Sequence, residues 1–173
     1  MNAPAQIIQL GPGQGPAFSA VGDVYRILAT GEQTGGAYVL SEARVLPGGG
    51  PPPHIHHRED EGFFVLEGEV TFTLGDKKMV GQAGAFVQGP RGIPHAFKNE
   101  SSAPARMLIF VTPPGFEKFM AEFAQPVRPS TRHLCPLPPP TSRNCSRSHR
   151  SMASKFSRRL IEWRLHGTSP TGC

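Results

Sequence analysis

Apolar residues in the first two thirds of this chain come in short runs, each cut by glycine or proline. Of its 173 residues, 20 are Gly and 19 are Pro. Stretches 6–10, 24–29, 37–46, 62–66, 69–74, 85–88, 95–98 and 106–112 read as strands. Glu69-Val70-Thr71-Phe72-Thr73-Leu74 alternates polar and apolar residues, so one of its faces is buried. Gly75-Asp76 is a turn signal, and Glu67-Gly68 is another. Many short strands at this spacing predict a sandwich or a barrel.

Pro113-Pro114-Gly115 breaks the sheet pattern. Phe116, Phe119, Met120 and Phe123 then recur at helical spacing, which predicts a short helix whose apolar face covers the barrel. The Gly11–Pro16 stretch is glycine-rich but is not followed by Lys-Ser/Thr, so it reads as a loop and not as a phosphate cradle. The N-terminus lacks a charged region followed by an apolar run, so no signal peptide is expected. No stretch is long and apolar enough to span a bilayer, and no membrane partner is expected. Residues 1–125 contain no cysteine and need no oxidising compartment, so a cytoplasmic location is expected.

Four residues carry the chemistry: His54, His56, Glu61 and His95. Three imidazoles and one carboxylate suit a divalent transition metal such as Fe, Mn, Co, Ni, Cu or Zn. In a strand, side chains at i and i+2 share a face, so His54 and His56 point one way and His57 the other. His95 comes from a distant strand, framed by Pro90, Gly92 and Pro94. Pro94 fixes its own φ and pushes Ile93 toward extended geometry. Glu59 and Asp60 are expected as solvated rim charges, with Arg58 as a partner of little energetic weight.

These residues fill every defining position of two cupin motifs. Gly48, His54, His56, Glu61 and Gly68 match G-x5-H-x-H-x4-E-x6-G, and Gly84, Pro90, Gly92, His95 and Asn99 match G-x5-P-x-G-x2-H-x3-N. Residues 1–125 therefore resemble the cupin superfamily, most of all the small single-domain type 2 cupins compared with quercetin dioxygenase. The resemblance implies an all-β double-stranded β-helix, a jelly-roll barrel with a short C-terminal helix. It implies His54, His56, Glu61 and His95 as metal ligands, and it suggests a homodimer.

From about residue 126 the composition changes. Residues 1–125 hold nine Lys and Arg against twelve Asp and Glu, whereas residues 126–173 hold nine against one. The basic charge is a property of the tail, so nucleic acid is not an expected partner of the barrel. Cys135, Cys145 and Cys173 also lie there, with His133, His149 and His166, but their spacing matches no zinc pattern. The tail is rich in Arg, Ser and Pro and is expected to be disordered. Its codons offer another explanation. Taken from the third base, Asn144-Cys145 forces Leu and Met152-Ala153 forces Gly, and allowed choices elsewhere spell a short amphipathic helix and a strand-like end. That string resembles the usual C-terminus of small cupins, so the tail reads as the product of a shifted reading frame.

Four protein ligands on a metal that prefers five or six leave open positions, the mark of a catalytic site. A small-molecule substrate would bind there, with Glu61 as ligand and proton acceptor at once. Phe63, Phe72, Phe86 and Phe97 are candidate apolar walls. The first expectation is a metal-dependent, quercetinase-like dioxygenase acting on a small aromatic or enolic substrate. The alternatives are a metal-dependent isomerase, epimerase or lyase of a small metabolite, and a non-enzymatic metal or ligand binding module. A sugar-phosphate isomerase would need cavity cations, for which Arg44, Arg91 and Arg106 are the plausible suppliers.

Overall fold

Strand alternation sorts the side chains of β9 (Ala105–Thr112) between two environments. Ala105, Met107, Ile109 and Val111 are buried, while Arg106, Leu108, Phe110 and Thr112 face outward. A computed structural model describes residues 4–127. Besides β9, the described residues form β1 (Ala17–Ala20), β2 (Asp23–Ala29), β3 (Val39–Val45), β4 (Asp60–Glu67), β5 (Glu69–Leu74), β6 (Lys77–Gln82), β7 (Phe86–Gly89), β8 (His95–Lys98), α1 (Phe116–Phe123) and β10 (Gln125–Val127).

All strand pairings are antiparallel. One sheet has seven strands in the order β10-β1-β2-β3-β9-β4-β7, and the other has three in the order β6-β5-β8. The core fills the space between them: Val39, Ala43 and Val45 of β3, Phe63 and Val65 of β4, Val70 and Phe72 of β5, and Phe97 of β8. Gly68, at φ 74, lies where the chain leaves β4 in the large sheet for β5 in the small one. This is the all-β jelly-roll architecture that the cupin resemblance implied, and it fits the sandwich or barrel that the strand pattern predicted.

The differences have physical causes. Residues 6–10 form no strand: Gln6 donates one backbone hydrogen bond to Gln33 O at 2.8 Å, and Ile7 is fully exposed. β1 has almost no alternation to announce it. It exists because Val21 (φ 55) and Gly22 (φ 89) make the left-handed turn that suits a tight hairpin, folding it onto β2. β6 is an edge strand with only Gly81 buried, so no buried face marks it in the sequence. The Gly75-Asp76 turn nonetheless pairs it with β5 through all six residues.

The expected helix forms as α1, with Met120 buried and Phe116, Phe119 and Phe123 packed on the core. Pro126 and Val127, at the start of the basic tail, pair with Phe18 and Ala17 of β1. The expectations of disorder and of a shifted frame concern residues 126–173; apart from Pro126 and Val127, which are ordered in β10, these lie outside the described residues.

Phe72 is 1% exposed and Phe86 is 64% exposed. Phe72→Ala should therefore cost about 3–5 kcal/mol in urea unfolding. Phe86→Ala should stay within about 0.5 kcal/mol. Similar costs would overturn this assignment of faces.

Candidate metal centre

His54 enters the barrel wall through backbone. Its N–H donates to His95 O and His95 N–H donates to His54 O, both at 2.9 Å. This isolated bridge ties the segment before β4 to β8. The approach to it needs glycine at position 50, where φ is 125 and a Cβ would lie 2.0 Å from Phe97 O. His56 is pinned next, its carbonyl accepting from Gly92 N–H at 2.7 Å. Glu61 is the second residue of β4 and points inward with Phe63 and Val65. Its register partner on β7 is Gly89, where a Cβ would stand 3.4 Å from the His95 ring.

The four predicted side chains converge, with donor atoms all within 4.8 Å of one another. Glu61 Oε2 lies 3.0 Å from His95 Nε2, 3.4 Å from His56 Nε2 and 3.9 Å from His54 Nε2. Two metal bonds of about 2.1 Å span at most about 4.2 Å, so the donors stand close to the spacing a metal requires. His54 Nδ1 is 3.0 Å from Pro52 O and His95 Nδ1 is 2.9 Å from Ile93 O. Each carbonyl accepts the Nδ1–H and so turns Nε2 inward, toward Glu61, as the atom that would ligate a metal once it gives up its proton. His57 is exposed and takes no part. His54 and His56 converge although residues 55–59 are not a strand, so strand parity is not the cause: the His95 bridge and the Gly92 bond aim the two imidazoles.

Electrostatics follow from this crowding. Burial pushes the Glu61 carboxyl up, but contacts with His54, His56 and His95 outweigh it and hold the group well below the usual carboxylate range. Burial pushes the His56 imidazole down, yet Glu59 and Glu61 lift it to about 9. Glu59, expected on the rim, is only 4% exposed, with Oε2 at 3.6 Å from His56 Nδ1. Asp60 pairs with Arg91 at 2.6 Å instead of Arg58, and that guanidinium holds its carboxyl at about 2.

Above the donors is a small cavity of about 40 Å³. Its apolar wall comes from Tyr25, Phe97, Ile109, Phe116, Phe119 and Met120. Of the four expected phenylalanines only Phe97 lines it. Phe63 and Phe72 are packed behind it in the core, and Phe86 is on the surface. Tyr25 could have been found from the apolar period of β2, but the helix residues could not. Their stripe announces a cover, and only the return of β10 to β1 places that cover here. Among the described residues no arginine lines the cavity: Arg106 pairs with Glu42 and Glu67 on the outer face, and Arg91 with Asp60. A larger groove of about 590 Å³ lies between Gly48–Pro53 and the outer side of β5 and β8, and none of the four donors lines it.

Asp23 holds the turn that leads to His54. Its Oδ1 accepts from Leu46 N–H at 3.0 Å, and the carboxyl also accepts from Gly50 N–H. Oδ2 is buried without a hydrogen-bond partner. Burial pushes this carboxyl up to about 7, against the pull of the two backbone bonds.

A cupin domain family model matches residues 41–111, which contain all four donors. Germin-like protein subfamily 2 member 1 of Arabidopsis thaliana is 38% identical over 74 residues, covering 40% of this chain and 34% of that protein. Quercetin 2,3-dioxygenase of Bacillus subtilis is 29% identical over 93 residues, covering 51% of this chain and 26% of that protein. The chain thus spans about a third or less of the length of these relatives. Among solved structures, a protein of Thermotoga maritima described as a predicted oxalate decarboxylase superposes with a TM-score of 0.53 at 19% identity. That match covers 61% of this chain and 97% of the other, and it speaks to the fold alone.

Because the Asp23 carboxyl is raised, the folded chain keeps a proton that the unfolded chain releases between about pH 4 and 7. Its contribution to stability is full below about pH 4 and is lost as pH rises through 7. Asp23→Asn removes this dependence. In urea unfolding across that interval, the variant should gain on the parent by a few kcal/mol as pH rises. A difference independent of pH would contradict the raised carboxyl.

Proposed function

Since the chain belongs to the cupin family, we propose that His54, His56, Glu61 and His95 hold one divalent transition metal, and that the centre is a metal-dependent dioxygenase for a small aromatic or enolic substrate. The observation that carries this is the convergence of three imidazole Nε2 atoms and one carboxylate oxygen beneath an apolar wall. A metal bound there supplies Lewis acidity and a template for an oxygen-bearing substrate at the positions the protein leaves open.

The remaining roles belong to the chain's own residues. Glu61, ionised among three imidazoles, accepts the proton of a substrate hydroxyl. His54 and His95 are held in one tautomer by the Pro52 and Ile93 carbonyls, so neither ring has to reorient. Phe97, Ile109 and Met120 exclude water and receive an apolar ring. Tyr25 brings the one hydroxyl among the described lining side chains, and burial keeps that phenol protonated as a donor. The similarity to the quercetin dioxygenase supports this choice of reaction. An isomerase of a phosphorylated metabolite is disfavoured because no Lys or Arg among the described residues lines the cavity.

The test is metal analysis with a flavonol panel, in air and under anaerobic conditions. The parent should retain about one metal per chain and consume O2 in step with flavonol. His54→Ala and His95→Ala should lose metal and turnover, while His57→Ala keeps both. Turnover without O2 would assign an isomerase or lyase instead. Bound metal with no turnover would assign a binding module.

A further inference from the structure

A cavity of about 40 Å³ has room for a few water molecules at most. Pockets that take organic substrates run to several hundred Å³. A substrate larger than a few atoms must therefore displace part of the wall. Tyr25 and Ile109 sit on β2 and β9, strands paired on both sides, so they cannot move without breaking the large sheet. Phe97 is fixed by β8 pairing with β5. Pro51 lies outside the strands but in a pinned segment, between Gly50, packed on Phe97 O, and the His54–His95 backbone bridge. That leaves Phe116, Phe119 and Met120, which stand outside the ladders on α1.

α1 has eight residues, too few to be stable as a helix without its contacts. Met120 is its one buried residue. It is tethered at one end by the Pro113–Gly115 turn and at the other by the three residues of β10. Between these it is held by Glu117, whose Oε1 accepts from Gly31 N–H and whose Oε2 accepts from Gly115 N–H, both at 3.1 Å. Gly31 belongs to the turn between β2 and β3. Pro114 packs so closely on it that a Cβ at position 31 would lie 2.3 Å from Pro114 Cβ and 3.0 Å from Glu117 Oε1. Neither Gly31 nor Glu117 lines the cavity.

We propose that α1 is the selectivity gate of this site: Phe116, Phe119 and Met120 decide which molecules reach the donors, and the Glu117–Gly31 contact is the latch that sets how often the gate opens. Tilting α1 about its two tethers exposes the donor face while both sheets stay paired. The aromatic face favours apolar, ring-bearing molecules and resists ions. The gate rests on the metal-centre reading for what lies beneath it, but its motion exists with or without a metal.

The test separates the two ideas. In metal-free full chain, diethyl pyrocarbonate modification of His54 is followed by peptide mass spectrometry, with exposed His57 as the internal reference. Gly31→Ala and Glu117→Ala should each raise the rate at His54 relative to His57 by about tenfold, the effect of losing a hydrogen bond to a charged group. Unchanged ratios, or His57 accelerating in parallel, would overturn the gate. Should Glu117→Ala fail to fold, Gly31→Ala carries the comparison alone. In metal-loaded protein the same variants should speed 4-nitrocatechol binding about as much, at unchanged metal content. If the parent holds no metal, the metal-centre reading fails, and the modification rates still decide the gate.

Discussion

Two hydrogen bonds, between the backbones of His54 and His95, hold this site together. They fasten a segment rich in proline, with few N–H groups to offer, to the free edge of β8. That fastening brings two donors from opposite ends of the sequence pattern together, with ring centroids 4.5 Å apart and the rings tilted by 58°. Other restraints converge on the same stretch: the Asp23 carboxylate on the Leu46–Gly50 turn, the close passage of Gly50 over Phe97, and the Gly92 bond to His56. The site is built by backbone constraint, so the imidazoles arrive already aimed.

The arrangement is electrostatically expensive. Glu59 and Glu61 are buried within a few ångströms of three imidazoles, and Asp23 is buried nearby with one oxygen unpartnered. Removing carboxylates from water costs several kcal/mol each unless close partners offset it. A cation at the convergence of the donors offsets that cost directly. On the proposed reading, metal affinity and folding stability would therefore be linked, because a ligand that binds only the folded state raises its stability by mass action.

Much of the site was legible because coordination chemistry restricts both residue type and spacing. His54, His56, Glu61 and His95 stand out on those grounds, and the structure brings them together. The alternation of β5 was equally plain. What stayed hidden depends on partners remote in sequence. Glu59 carries no mark of burial in its neighbours. It is buried because His56 turns toward it and Gly115, at the start of α1, lies against it: a Cβ at Gly115 would be 3.7 Å from Glu59 Oε1. Phe86 and Phe97 look alike as apolar strand residues, yet β7 is an edge strand whose Phe86 faces out, while Phe97 faces the cavity. The strand β6, exposed along nearly its whole length, gives no period to detect.

The central claim is that these four side chains, and no others in the chain, hold a metal. X-ray absorption at the metal edge of the loaded protein tests it most directly. The account predicts a first shell of nitrogen and oxygen at about 2.0–2.2 Å, with the outer-shell scattering of three imidazoles. A shell containing sulfur at about 2.3 Å would contradict it, because the three cysteines of the chain all lie beyond residue 127. So would an oxygen-only shell without imidazole scattering.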